Sequence, residues 1–93
     1  MFEKLTDRLK KFYLRFKYDV RMAMFEASAE TFFSKGDIIP SYMRAFHLQK
    51  MTSDMEKLKG LVRELGIINT NEEAEEFEDT VYQKFEDRYS KKR

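Results

Sequence analysis

The chain has 93 residues, of which 42% are hydrophobic and 38% charged, and its 18 basic and 17 acidic residues leave a net charge of +1. These values predict one folded domain over residues 1–93 and exclude both a polycation and a wholly disordered chain. The absence of cysteine excludes disulfides, thiolate metal sites and a cysteine nucleophile. No apolar run approaches the roughly 18 residues of a membrane span, so we expect a soluble, intracellular protein, cytoplasmic by default.

The apolar residues recur at helical spacing, and one proline and three glycines leave little material for hairpins. We therefore predict an all-α fold, a three-helix bundle or helical hairpin with a long first helix and coiled-coil-like packing. Helix 1 is predicted over about residues 2–34. It should end at Gly36, which can adopt the left-handed conformation that terminates helices.

Helix 1 carries two apolar series. The first is predicted to face the core and contains Phe2, Leu5, Leu9, Phe12, Phe16, Val20, Ala23 and Ala27. The second is predicted to form a homodimer interface and contains Leu14, Tyr18, Met22, Phe25, Ala29 and Phe32. A helix that is apolar on both sides must be buried on both. Helices 2 and 3 could cover both faces, but a helix of about 50 Å exceeds a compact domain of this size, which favours a kink near residues 27–29 or, preferably, pairing with a second copy.

Helices 2 and 3 have clearer boundaries. Helix 2 is predicted over about residues 40–65, with Gly66 as its C-terminal glycine and Ile67 as the apolar contact of that cap. Helix 3 is predicted over about residues 71–90, opened by a capping box between Thr70 and Glu73. The predicted buried positions are Leu48, Met51, Met55, Leu58, Val62 and Leu65 in helix 2, and Ala74, Phe77, Val81, Phe85 and Tyr89 in helix 3.

Two charged rows are candidate contact sites. Residues 1–22 hold seven basic and three acidic residues, a net of +4, and Lys4, Arg8, Lys11 and Arg15 form a basic row on one face of helix 1. This row could follow nucleic-acid phosphates or an acidic partner, or be an ordinary solvated face. A membrane-surface helix is a further alternative, disfavoured because the apolar face is needed for the core.

Helix 3 carries the opposite charge. Residues 72–87 hold eight acids against Lys84, a net of −7, and Glu72, Glu75, Glu76 and Asp79 form an acidic row on one face. The row could bind a basic partner, stand in for nucleic acid or merely confer solubility. A helix does not supply the ligand geometry of a Ca²⁺ loop. The acids also argue against a recognition helix of a helix-turn-helix motif, since phosphates would repel them.

Catalytic signals are weak. His47 is the only histidine, and the sequence contains no glycine-rich phosphate loop, nucleophile elbow or metal-ligand spacing. We expect no enzyme activity and no cofactor. The predicted function is that of a small helical interaction, scaffold or regulatory protein acting as a homodimer, a type common among the products of viruses and mobile elements. The alternative is an accessory nucleic-acid-binding protein that uses the basic row of helix 1.

Overall fold

The computed structural model describes the backbone of residues 2–90 and the side chains of residues 4–90. Within that range the protein is a three-helix bundle with no strand, built from α1 (Phe2–Lys35), α2 (Ser41–Glu64) and α3 (Asn71–Ser90). The predicted all-α fold with a long first helix is confirmed. None of these helices, over its described residues, is both long and apolar enough to cross a membrane.

Helix α2 runs antiparallel to α1, and α3 runs parallel to it. The side chain of Phe32, near the end of α1, lies beside Arg44 at the start of α2, while Phe16 lies beside Glu64 at the end of α2. On the other side of α1, the ring of Tyr18 lies 6.5 Å from that of Phe77 in α3. The covered part of α1 therefore begins near Leu14, which is buried, and the residues before it extend beyond both covering helices.

The α2–α3 turn is fixed by local caps. Gly66 has a φ of 78°, and the backbone N–H of Ile67 donates to the Val62 carbonyl at 2.9 Å, as expected for a glycine-terminated helix. The apolar contact of this cap is Ile68, buried with Val62, whereas the predicted Ile67 is exposed. Thr70 Oγ1 accepts a hydrogen bond from the backbone N–H of Glu73 at 3.1 Å, which confirms the N-terminal cap of α3.

Gly36 follows the last residue of α1, but it does not have the left-handed conformation predicted for it. A Cβ atom at this position would lie 2.5 Å from the carbonyl oxygen of Phe32. Glycine is therefore required here because the backbone approaches the end of α1 closely, and not because of a positive φ.

The core lies between the C-terminal two thirds of α1 and the inner faces of α2 and α3. Its buried members are Phe25, Ala29, Met51, Met55, Leu58, Val81, Phe85 and Tyr89, with Tyr18, Met22 and Phe32 packed against them. The predicted stripe of α3 is buried or half-buried throughout. In α2 the prediction holds from Met51 to Val62, while Leu48 is exposed.

The two apolar series of α1 are placed opposite to the prediction. The residues predicted to form a dimer interface are core or packed against core: Leu14, Tyr18, Met22, Phe25, Ala29 and Phe32. The residues predicted to form the core are exposed: Leu5, Leu9, Phe12, Phe16, Val20, Ala23 and Ala27. The side chain of Phe2 lies outside the described residues. Both assignments were wrong because α2 and α3 both pack on the second series.

The molecule is elongated. Its principal extents are 56 × 24 × 22 Å and its radius of gyration is 15.7 Å, against about 12 Å for a compact domain of this length. The excess arises at one end, where residues 4–13 of α1 are all exposed. We call this segment the arm.

Side-chain pairs join the three helices around the core. Glu26 Oε2 in α1 accepts hydrogen bonds from Tyr89 Oη at 2.6 Å and from Arg88 Nη1 at 2.8 Å, both in α3. The hydrogen bond from Tyr89, followed by that from Arg88, lowers the pKa of the Glu26 carboxyl. Lys59 in α2 lies 3.3 Å from Glu78 in α3, and its pKa is raised chiefly by its hydrogen bond to Glu56. These pairs tie the middle of α3 to α2 and its C-terminal end to α1.

Candidate interaction site on helix α1

An apolar row follows the side of α1 that faces away from the bundle. We call it the outer stripe, and its members are Leu5, Leu9, Phe12, Phe16 and Val20. At 100° per residue the five side chains fall within an arc of about 80°, opposite the core face. The stripe begins on the arm and continues along the part of α1 that α2 and α3 cover from behind.

The exposure of the outer stripe is large. The exposed fraction is 74% for Phe12 and 60% for Phe16. At about 150–250 Å² for each large side chain, the stripe with neighbouring Tyr13 and Met24 exposes on the order of 700 Å². The largest apolar patch on a typical monomer is about 300–600 Å², and such a patch is often functional.

The outer stripe runs into a cleft between α1 and α2. This cleft has a volume of about 370 Å³, and its apolar lining comes from Phe16, Val20 and Leu61. Gly60 also lines it, and a Cβ atom built on Gly60 would meet no other atom within 4 Å. Because this glycine presents no side chain, another backbone or a bulky side chain can approach α2 closely here.

An ion pair with a buried carboxylate joins α1 to α2 beside the cleft. Arg21, which lines the cleft, donates from Nη1 to Asp54 Oδ1 at 3.1 Å. Asp54 is only 3% exposed, and its Oδ2 atom has no hydrogen-bond partner among the described residues. A buried carboxylate requires a cation beside it, and Arg21 supplies that cation to Asp54. The pair therefore anchors the cleft wall of α1 to α2.

The basic row predicted from the sequence is exposed at all four positions, Lys4, Arg8, Lys11 and Arg15. Arg15 lies 3.7 Å from Asp19 and 5.9 Å from the centre of the Tyr18 ring. Lys17, on the other edge of the outer stripe, lies 4.7 Å from the centre of the Tyr13 ring. The structure thus places cations along both edges of an exposed apolar surface.

The acidic row of Glu72, Glu75, Glu76 and Asp79 is also exposed. Glu78, which lies between Glu76 and Asp79 in the sequence, instead pairs with Lys59 and is half-buried. The structure does not bring the acidic row together with the basic row in any ion pair among the described side chains.

Other chemical candidates are modest. His47 is half-buried, with its ring 5.7 Å from that of Phe46. No group of three or more His, Asp or Glu side chains within the described part of the chain could hold a metal ion.

The sequence analysis did not predict that the outer stripe is exposed. The available signal was that the second apolar series begins at Leu14 and continues to Phe32, the stretch that a 24-residue α2 can cover. The first series begins on the arm and fades into Ala23 and Ala27.

Comparison with known protein families, with curated proteins and with solved structures finds no significant match.

Proposed function

We propose that this chain is a non-catalytic interaction protein that binds another protein through the outer stripe and the adjoining cleft. The observation that carries the proposal is the exposure of the outer stripe along the arm and past Phe16. Apolar surface in contact with water costs about 25 cal/mol of free energy per Å². A partner that covers this surface removes the cost. The exposed area is close to the roughly 800 Å² that each partner contributes to a standard interface.

The spacing of the outer stripe favours a protein partner. Leu5, Leu9, Phe12 and Phe16 lie at intervals of four, three and four residues, the anchor spacing with which helices pack against one another. The cleft at the end of the stripe supplies a concave pocket for an anchoring side chain. Hot spots of protein interfaces are typically large side chains in such pockets.

Homodimerisation stays a prediction, with a changed interface. The face from Leu14 to Phe32 cannot pair with a second copy because Phe25 and Ala29 are fully buried within the chain. A dimer would have to use another exposed apolar surface, such as the outer stripe.

A single-stranded nucleic acid is the second candidate ligand. Phe12 and Phe16, which the sequence assigned to the core, are exposed and lie near Arg15 and Lys17. Exposed aromatic rings beside cations are the platform on which unpaired bases stack. The aliphatic members of the outer stripe, Leu5, Leu9 and Val20, would have no role in that contact, which is why a protein partner is preferred.

The test compares two exposed helical phenylalanines. Phe16 is 60% exposed in the outer stripe, and Phe46 is 61% exposed in α2, outside the stripe. The whole chain, Phe16→Glu and Phe46→Glu are immobilised and used to capture proteins from cells of the source organism. We expect a partner that binds the unchanged chain and Phe46→Glu and is lost with Phe16→Glu. A partner retained equally by all three would contradict the proposal.

These three proteins, together with a variant in which the four residues of the basic row are changed to glutamate, test nucleic-acid binding. Binding to unrelated single-stranded DNA and RNA is measured by fluorescence anisotropy across a salt series. Tight, salt-sensitive binding that is lost when the basic row is changed to glutamate, with no stripe-dependent protein captured, would replace the proposed function by nucleic-acid binding.

A further inference from the structure

We infer that the outer stripe and the cleft take an acidic amphipathic helix, a partner helix whose apolar side is flanked by Asp and Glu on both edges. This inference rests on the proposed function and adds the chemistry of the partner. It follows from the charges that frame the apolar surface and from the shape of the surface.

The edges of the outer stripe are basic on both sides. At 100° per residue, Arg8 and Arg15 lie along one edge, and Lys10 and Lys17 lie along the other. All four side chains are exposed. One acidic residue, Asp19, also lies on these edges, and its carboxylate is 3.7 Å from the guanidinium of Arg15. A partner helix would therefore meet cations on either side of its apolar face.

The cleft extends the same pattern onto α2. Lys17 and Lys57 stand at its margin against one acid, Glu64. Arg21 lines the cleft too, but its guanidinium is paired with Asp54. Together the stripe edges and the cleft margin hold five cations outside that pair, Arg8, Lys10, Arg15, Lys17 and Lys57, against two acids, Asp19 and Glu64. The excess is complementary to an acidic partner.

The shape suits a helix. From Leu5 to Val20 the outer stripe spans about 22 Å along one helix, the length of about four helical turns. At the Val20 end, Gly60 leaves the α2 side of the cleft open. A helix lying along the stripe can thus approach both α1 and α2 at this point, with one large side chain in the cleft.

A second copy of the chain fits less well. In a two-fold dimer the same patch faces itself, so the basic edges around Arg8 and Lys17 would meet basic edges. Like charges in such a contact oppose association. An anionic bilayer would match the charges, but a flat lipid surface cannot enter the cleft between α1 and α2.

The experiment is a selection from displayed helical peptides of 21 residues. Every peptide carries Leu or Phe at the spacing of the outer stripe, and the flanking positions are drawn equally from Glu, Gln and Lys. Selection on the unchanged chain should enrich Glu on both flanks. The selected peptides should bind Phe16→Glu at least about tenfold more weakly and bind Phe46→Glu unchanged.

A charge exchange provides the second readout. In Arg8→Glu/Lys17→Glu the preferred flanks should shift from Glu towards Lys, and the affinity for the Glu-flanked peptides should fall at least about tenfold. A merely structural role for Arg8 and Lys17 would not change the preferred sign. Circular dichroism on each variant checks that the bundle is folded.

Three results would overturn the inference. The first is no enrichment, or enrichment of Gln or Lys flanks, on the unchanged chain. The second is a dimer by light scattering at tens of micromolar that Phe16→Glu dissociates, which identifies a second copy as the occupant. The third is binding to phosphatidylglycerol vesicles that Phe16→Glu abolishes, with no peptide selected. If stripe-dependent capture of a cellular partner persists beside any of these, the proposed function stands and only the acidic chemistry fails.

Discussion

The two ends of α1 have a similar apolar content, but one end is exposed and the other is buried. Both are rich in aromatic and aliphatic residues, yet Phe12 is 74% exposed and Phe25 is fully buried. The difference lies in the neighbours. Helix α1 has 34 residues, whereas α2 has 24 and α3 has 20, so the covering helices end before the arm begins.

The comparison shows that apolar periodicity indicates which residues share a face but not whether that face is covered. An apolar helix face is buried only where another element reaches it. In this protein the uncovered face is continuous with a cleft beside the core, so one helix contributes both to folding and to the surface offered to a partner.

Truncating a phenylalanine should have unequal effects at the two ends of α1. Phe25→Ala removes a fully buried ring and should lower the free energy of unfolding by about 3–5 kcal/mol. Phe12→Ala should change it by about 0.5 kcal/mol or less, because the ring is already exposed. Urea titration followed by circular dichroism measures both. Equal losses would mean that the outer stripe is packed within the isolated chain.

Replacing an arginine of α1 should likewise reduce stability more where its partner is buried than where its partner is exposed. Arg21→Met leaves the buried carboxylate of Asp54 without its cation and should cost about 2–3 kcal/mol of unfolding free energy. Arg15→Met breaks an exposed pair with Asp19 and should cost about 0.5 kcal/mol or less. Adding Asp54→Leu to Arg21→Met should restore much of the loss. No recovery would indicate that Arg21 acts through packing rather than charge.

Gly60 stands on the border between core and surface. Since a Cβ atom there meets nothing within 4 Å and the residue lies inside α2, Gly60→Ala should raise the free energy of unfolding by about 0.5–1 kcal/mol. The added methyl group should also narrow the cleft and so weaken the binding of the peptides selected on the outer stripe. Thermal unfolding and peptide titration on one sample measure both effects. A destabilised Gly60→Ala would show that the cleft is occupied within the chain.

Acidification should act on the covered part of α1 through Glu26. The pKa of its carboxyl is lowered, mainly by the Tyr89 hydroxyl, so its stabilising contribution is complete above its ordinary pKa and is lost as pH falls through the lower folded value. The effect should be the smallest of the four because Glu26 is partly exposed. Urea titrations from pH 6 to pH 3 should show a shallower pH dependence in Glu26→Gln than in the unchanged chain, and an identical one would contradict the assignment.

The helix boundaries could be predicted to within one residue because their causes are local. Thr70 and Glu73 lie three residues apart in sequence, and Gly66 acts on the turn that precedes it. The buried stripe of α3 was also predictable, since that helix has one apolar face. The sequence could not show whether Ile67 or Ile68 makes the apolar contact of the cap. Both are isoleucines next to each other, and the path of the turn determines which one is buried.

The candidate site could not be predicted for a different reason. Leu9 and Tyr18 belong to series that satisfy helical periodicity equally well, and their separation depends on how far α2 and α3 extend along α1. That is a long-range property of the packed chain. The exposure of the basic row could be predicted because Lys and Arg side chains are usually exposed. Its position beside exposed aromatic rings could not be predicted.

The elongated outline has a hydrodynamic consequence. A particle of 56 × 24 × 22 Å experiences more friction in water than a sphere of equal mass. During gel filtration a single copy should therefore elute slightly ahead of globular standards of its mass, but behind a globular protein of twice that mass. Sedimentation velocity, which separates mass from frictional ratio, should return the 11.3 kDa of one chain together with a frictional ratio slightly above that of a compact sphere.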